Sequence, residues 1–227
     1  MSARSAREVQ ALCALAIGMI AFLIFAHIAD EIIFEGEHAL DRTIMMALRS
    51  PHDAAHPIGP GWMADVMRDI TSLGSTSVLT LAVVGTVVFL ALVRKFGPAI
   101  YVALATIGGT LSVQGLKLLF ARDRPDFVPD VAQMTSKSFP SGHSSLSAIV
   151  YLTLAVLVAR ELKPLVLKSY VVLLAMAICA LVGISRVYLG FHWPSDVVAG
   201  WTFGSAWALV CWAAAEWFEQ RGQRRRD

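Results

Sequence analysis

Charge and cysteine are both scarce in this sequence. Asp, Glu, Lys and Arg supply 16% of its 227 residues, against 56% apolar ones, where a soluble domain carries about 25% charge. The shortfall excludes an ordinary water-soluble domain. A net charge of +2 excludes a strongly basic surface, so no nucleic-acid partner is expected. The three cysteines, Cys13, Cys179 and Cys211, all fall in apolar runs. They imply no disulfide framework and read as small buried hydrophobes. Internal repeats are absent, and the basic tail RGQRRRD is the one biased segment. In SPHDAAHP, His52 and His56 stand four apart with Asp53 between them, flanked by prolines and without a third strong ligand, so neither a metal site nor a cofactor is expected there.

Long hydrophobic runs are what the chain does have. Residues 9–29, 77–93, 98–120, 143–159, 164–189 and 195–218 each approach the roughly 20 apolar residues that cross a ~30 Å hydrocarbon layer. The expected fold is all-α: one polytopic membrane domain over residues 1–227, with six transmembrane helices in a bundle. The first run follows Arg4 and Arg7 as a signal sequence would, but it is long and lacks a small-x-small cleavage site, so it reads as a retained helix.

Six crossings put both termini on one side. That side holds eleven basic residues: Arg4, Arg7, Arg94, Lys95, Arg160, Lys163, Lys168, Arg221, Arg224, Arg225 and Arg226. The other holds eight: Arg42, Arg49, Arg68, Lys117, Arg122, Arg124, Lys137 and Arg186. The excess marks the terminal side, including the tail at 219–227, as cytoplasmic.

Residues 30–76 then form an outer loop with two amphipathic stretches. Leu40, Ile44, Met45 and Leu48 share one helical face, and Trp62, Val66, Ile70 and Leu73 share another. Each either lies in the membrane interface or packs onto the bundle. In the third run, Ala105, Gly108, Ser112 and Gly115 form a small-residue stripe suited to close helix approach.

Polar groups are costly near hydrocarbon, and a single Lys or Arg at a helix end usually just snorkels. Here three clusters fall at the same outer level. KLLFARDRP supplies Lys117, Arg124 and Pro125; FPSGHSS supplies Ser141, Gly142 and His143; SRVYLGFHWPSD supplies Ser185, Arg186, His192 and Asp196. Three fixed cations suit a multiply charged oxyanion, Arg by gripping two oxygens and Lys as a point charge. Ser141, Gly142 and His143 open a helix, where free N–H groups and the helix dipole favour an anion. This stretch alone reads equally well as a Ser-rich helix cap. Asp196 follows His192 by four residues, close enough to fix its tautomer and leave the other nitrogen free to attack. His143, on a different helix, is placed to be a general acid.

These clusters resemble the signature of the type-2 phosphatidic acid phosphatase (PAP2) superfamily: Lys, six residues, Arg-Pro; Pro-Ser-Gly-His; then Ser-Arg, five residues, His, three residues, Asp. Residues 117–196 match it at Lys117, Arg124-Pro125, Pro140-Ser141-Gly142-His143, Ser185-Arg186, His192 and Asp196. RDITSLGS also looks like the first loop of bacterial members.

The resemblance implies a phosphohistidine route. His192 attacks phosphorus while Asp196 holds it, and His143 acts first as acid and then as base. Lys117, Arg124, Ser141, Gly142 and Arg186 bind the phosphoryl oxygens, and no metal ion takes part. It further implies a membrane lipid phosphatase of a bacterial inner membrane, active at the extracytoplasmic face. Substrate candidates are undecaprenyl diphosphate, phosphatidylglycerol phosphate, phosphatidic acid and its lyso form, and lipid A 1-phosphate. Two other functions fit the same residues: a lipid phosphotransferase, and an anion-binding or transport protein that needs the cations but not an Asp-oriented histidine.

Overall fold

The structure, a computed structural model, describes residues 3–35, 39–128, 131, 134 and 136–224, with side chains placed for 9–32, 39–128, 131, 134 and 136–222. The tail residues Arg225 and Arg226 lie outside the described residues, as do the side chains of Arg4, Arg7 and Arg224.

Hydrocarbon offers no partner to a backbone N–H or C=O, so a spanning segment must satisfy them internally, as a helix does. The six apolar runs accordingly form helices: α1 (Ala3–Glu35), α4 (Thr76–Leu92), α5 (Phe96–Phe120), α6 (Gly142–Glu161), α7 (Leu165–Tyr188) and α8 (Pro194–Arg224). Six spans among the described residues are long and apolar enough to cross a membrane. Local residues set the boundaries. Ser75 caps α4 by accepting from Val78 N at 3.3 Å, and Pro194 opens α8 at a position where its missing N–H costs nothing. α5 ends at Ala121 in a left-handed conformation (φ +46°), its N–H bonded to Lys117 O. That turn directs the following residues, Arg122 and Arg124, back over the end of the bundle.

α6 is the central helix. It packs on α7 and α8, with α5 and α4 on its other flank, while α1 runs along α8. Close packing with α8 depends on Gly200 and Gly204. A Cβ at Gly200 would sit 2.8 Å from Ser144 Cβ and 2.9 Å from Ser141 O; one at Gly204 would sit 2.5 Å from Ser145 O. With no hydrophobic drive between helices in lipid, such close backbone contact provides the association. Near one end of the bundle, Phe25 of α1, Phe139 and Phe203 of α8 form a core. Phe139, fully buried, lies 5.9 Å from Phe25 and 4.9 Å from Phe120, ring centre to ring centre. It anchors the segment leading into α6.

The first loop adds a short β-ribbon to the all-α bundle. Between α2 (Ala39–Ala47) and α3 (Gly61–Ser72) lies an antiparallel ribbon of β1 (Arg49–Ser50) and β2 (Asp53–Pro57). Pro51 and His52 make the turn, and Asp53 Oδ1 accepts from Ala55 N at 2.9 Å, a local bond typical of turn aspartates. On α2 the buried residues are Asp41 and Met45, while Leu40 and Ile44 stay exposed. The inward face is therefore rotated from the expected one. On α3, Trp62, Val66 and Leu73 are exposed, as an interfacial helix requires.

Two further expectations need correction. Cys13 is exposed rather than buried, since α1 turns that face outward from the bundle. In the α5 stripe, a Cβ added at Gly108 would lie 2.8 Å from the Trp207 ring, but one added at Gly115 would meet nothing within 4 Å; the close contact ends before the last turns of α5.

Candidate active site

Three chain segments meet at one end of the bundle: the end of α5 with the residues after it, the start of α6, and the α7–α8 junction. All eight residues expected from the sequence fall here.

Lys117, in the last turn of α5, is buried and donates to Lys137 O at 2.6 Å and to Ser138 O at 3.4 Å. Its Cε lies 3.6 Å from where a Cβ on Gly142 would stand, so the cation borders the opening turn of α6. Ser141 is the N-cap of α6: its Oγ accepts from Ser144 N at 3.4 Å and from Ser144 Oγ at 3.1 Å. The cap reading of this serine is therefore correct, and its own hydroxyl proton remains to be donated. Helix geometry leaves the N–H groups of Gly142 and His143 without intrahelical acceptors. His143 packs against Gly74, where an added Cβ would lie 3.3 Å from its ring.

Arg124 donates to Ser136 O at 2.8 Å, Ser136 Oγ at 2.9 Å and Phe191 O at 2.7 Å, and its Nη1 lies 3.2 Å from His192 Nε2. Burial lowers the Arg124 pKa, and Asp196 opposes that shift. Arg186, in the last turn of α7, stacks on Phe191 with 4.0 Å to the ring centre and reaches Thr71 Oγ1 at 3.4 Å; its buried Nε has no partner among the described residues. Among the described residues, none of Lys117, Arg124 and Arg186 pairs with a carboxylate at ion-pair distance.

His192 is 1% exposed. Its Nδ1 lies 3.4 Å from Asp196 Oδ2 and 3.3 Å from Ser138 Oγ. Ser138 Oγ also donates a short bond to Asp196 Oδ2. A guanidinium only donates, so its N–H toward Nε2 assigns the lone pair to Nε2 and the proton to Nδ1. Burial first, then Arg186, Arg124, Lys117 and His143, push the His192 pKa well below the usual histidine value. The imidazole is neutral at neutral pH, with its lone pair facing the cations.

Asp196 is fully buried and fully engaged. Oδ2 also accepts from Trp193 N at 3.0 Å, and Oδ1 accepts from Arg122 Nη1 at 2.7 Å. A buried carboxylate is costly unless paired and hydrogen-bonded, and this one meets both conditions.

Ser138, Arg122, Asp41 and Thr71 receive no role from the motif spacing. A signal for Asp41 is present in the sequence. It sits at i, i+4 with Met45 and i+7 with Leu48, a charge on an otherwise apolar helical stripe. Arg122 and Lys137 both belong to the outer set of basic residues but are held differently. Arg122 is buried between two carboxylates, and Lys137 makes an exposed ion pair with Asp123 at 2.7 Å. His56 pairs with Asp53 at 2.8 Å, and no group of three metal-ligating residues occurs among the described residues.

Fold and site together define a class: polytopic helical membrane proteins with a histidine-bearing, cation-rich centre at one end of the bundle. The chain belongs to the PAP2 superfamily, whose model matches residues 98–220. It is similar to phosphatidylglycerophosphatase B of Bacillus subtilis, 34% identical over 212 residues, covering 91% of this chain and 96% of the relative. It is also similar to an undecaprenyl-diphosphatase of Sulfolobus acidocaldarius, 33% identical over 49% of this chain and 52% of that one. Among solved structures, a transmembrane PAP2-type phosphatidylglycerolphosphate phosphatase from Bacillus subtilis superposes with a TM-score of 0.76 and 32% identity, covering 90% of this chain and 96% of that chain.

Proposed function

We propose that this protein is a metal-independent membrane lipid phosphatase, one domain over residues 1–227, that removes a phosphoryl group through a phosphohistidine on His192. The observation that carries the reading is the electrostatic imbalance of the site. Three buried or half-buried cations converge on a neutral histidine without, among the described residues, a carboxylate counter-ion of their own. A phosphate dianion supplies the missing charge.

Lys117, Arg124 and Arg186, with the Ser141 hydroxyl and the Gly142 N–H, hold the phosphoryl oxygens. Arg124 turns its N–H from His192 to the phosphate and so frees the Nε2 lone pair. Nε2 attacks phosphorus, the P–O bond to the lipid breaks, and His143 gives its proton to the leaving oxygen. Asp196 and Ser138 keep the proton on Nδ1 and stabilise the charge that develops on the ring. Water then attacks the P–N bond, His143 takes its proton, inorganic phosphate leaves, and Nε2 regains its lone pair. Such transfers depend on positioning and charge stabilisation, which these fixed cations provide without a metal ion.

An apolar groove of about 430 Å³ between α4, α5 and α6 supports a lipid substrate. It is lined by Thr76, Leu79, Val83, Ile107, Leu146 and Val150. Leu146 and Val150 follow His143 at helical spacings of three and seven, so the groove continues the face that carries His143. An acyl chain lying there would bring its headgroup to the cations.

Near-full-length similarity to a phosphatidylglycerophosphatase supports phosphatidylglycerol phosphate as the first substrate to test. Undecaprenyl diphosphate follows, its relative matching about half of this chain. The excess of basic residues beside the termini supports cytoplasmic termini and an extracytoplasmic site in a bacterial inner membrane.

The test is phosphate release by purified protein in detergent with EDTA, over a panel of lipid mono- and diphosphates, with His192→Ala alongside. Release that survives EDTA and is lost in the variant is expected. Release that disappears in EDTA and returns with a divalent ion would sink the mechanism. Phosphoryl transfer to a lipid acceptor in place of water would identify a phosphotransferase.

A further inference from the structure

We infer that Asp41, on α2 of the first loop, and Arg122 are positioning residues that hold Asp196, and through it His192, in catalytic geometry. The inference rests on the phosphatase reading above.

Arg122 is 9% exposed at its side chain and lies between two carboxylates that are 5% and 0% exposed. Its Nη2 donates to Asp41 Oδ2 at 2.8 Å, and its Nη1 donates to Asp196 Oδ1 at 2.7 Å and to Ser195 Oγ at 2.8 Å. Asp41 closes the circuit. Its Oδ1 accepts from Ser195 N at 2.8 Å, and its Oδ2 accepts a short bond from Ser195 Oγ. The guanidinium also lies over the Trp193 ring, 5.6 Å from its centre. Apart from the Arg122–Asp41 pair itself, these contacts fall on residues 193–196, the turn that starts α8 and carries Asp196.

The clamp does two things. An orphan N–H in the first turn of α8 gains a carboxylate from a distant segment, which fixes that turn in place. One guanidinium shared by two carboxylates leaves an excess negative charge behind His192. That charge suits the ring when phosphorylation makes it cationic. In the Asp41→Asn variant, Arg122 serves Asp196 alone, draws its carboxylate away from the ring and weakens it as an acceptor. A phosphate bound by Lys117, Arg124 and Arg186 would be untouched by that change. The first loop is therefore part of the catalytic assembly, acting on rate rather than on phosphate affinity.

A double-mutant cycle on the full-length protein in detergent tests this, with phosphatidylglycerol phosphate as substrate. Asp41→Asn, an isosteric change that keeps hydrogen bonding to Ser195, is expected to lower kcat about 10- to 100-fold, as loss of an outer-shell partner does, with KM within about threefold. In an Asp196→Asn background, the same Asp41→Asn change is expected to cost less than about threefold, because its route to His192 is already cut.

Equal losses in both backgrounds would overturn the relay, as would an Asp41→Asn enzyme with normal kcat, or one with raised KM alone. If Asp41→Asn does not fold, or Asp196→Asn is too slow to measure, Arg122→Lys replaces the failed variant and the same non-additivity is required. The wild type keeps the two readings apart. A wild type that releases no phosphate from any lipid sinks the phosphatase reading, while an active wild type with additive losses sinks only the relay.

Discussion

The two ends of the bundle treat charge in opposite ways. At the end away from the site, Arg160 of α6 binds Glu216 through a short contact and Glu219 at 2.9 Å, and Lys95 binds Glu161 at 2.7 Å. These cations are neutralised by carboxylates within the chain. At the site end, Lys117, Arg124 and Arg186 rest on carbonyls, hydroxyls and an aromatic ring. Arg122, two residues from Arg124, has two carboxylates of its own, and the exposed Lys137 pairs with Asp123. The difference marks two uses of charge: at the far end the cations are balanced by carboxylates of the chain, and at the site the proposed phosphate would balance Lys117, Arg124 and Arg186.

Breaking the site end at its proposed nucleophile has the largest expected effect. His192→Ala is expected to cut phosphate release by roughly a thousandfold or more, because the attacking lone pair is gone. Thermal unfolding of the purified variant checks that it remains folded. Next comes loss of one unpaired cation. Arg124→Ala or Arg186→Ala is expected to lower kcat/KM by roughly 10²–10³, about the value of one preorganised charge-stabilising donor. Both kcat and KM are expected to move, since these charges also hold the ground-state phosphate.

A smaller loss, about tenfold, is expected for Gly200→Ala. The added Cβ would press on Ser144 and on Ser141 O, displacing the start of α6 and lowering Tm together with turnover.

Acid sharpens the contrast through His192. Its folded pKa is depressed, so below the ordinary value near 6.5 the unfolded ring takes a proton that the folded ring refuses. This contribution to stability is present above about pH 6.5 and is lost as pH falls, by at most about 1.4 kcal/mol per pH unit. His192→Ala should flatten that part of a denaturation-against-pH series, and an unchanged slope would contradict the assignment. The smallest effect on activity belongs to the far end. Arg160→Met should lower Tm by several degrees, as a partly buried ion pair is broken, with kcat/KM within about twofold of wild type.

Helix number and the eight motif residues are legible from the sequence because hydrocarbon imposes one strong rule on spanning segments. The runs at 98–120 and 143–159, for example, become α5 and α6 within a few residues. Which side of a spanning helix meets its neighbours is less legible. α4 is apolar nearly all round, and lipid tails are as apolar as a helix interface, so its burial leaves no amphipathic trace. Hence the apolar run around Cys13 does not reveal that this residue faces outward, and the α5 stripe does not reveal that its contact stops before Gly115. Gly200 and Gly204, which carry the close packing of α8 on α6, stand four apart as Gly108 and Ser112 of that stripe do; spacing alone does not say which small residues meet a neighbour.

The clamp is hidden for a different reason. Asp41 and Arg122 are 81 residues apart, and only the fold shows that a charge on the α2 stripe answers the second cation of KLLFARDRP. Ser138 lies in plain view beside Pro140-Ser141-Gly142-His143, but its place between His192 and Asp196 depends on a side-chain geometry that spacing does not encode.

The central claim, that the unpaired cations serve phosphoryl transfer to His192, is tested most directly by trapping the intermediate. Wild-type protein would be mixed with a radiolabelled lipid phosphate, quenched in alkali within milliseconds and digested, and the labelled peptide sequenced. The account predicts an acid-labile, alkali-stable label on His192 that is absent from His192→Ala and chased to inorganic phosphate by water. Label on any other residue, or steady phosphate release with no labelled protein at any quench time, would contradict it.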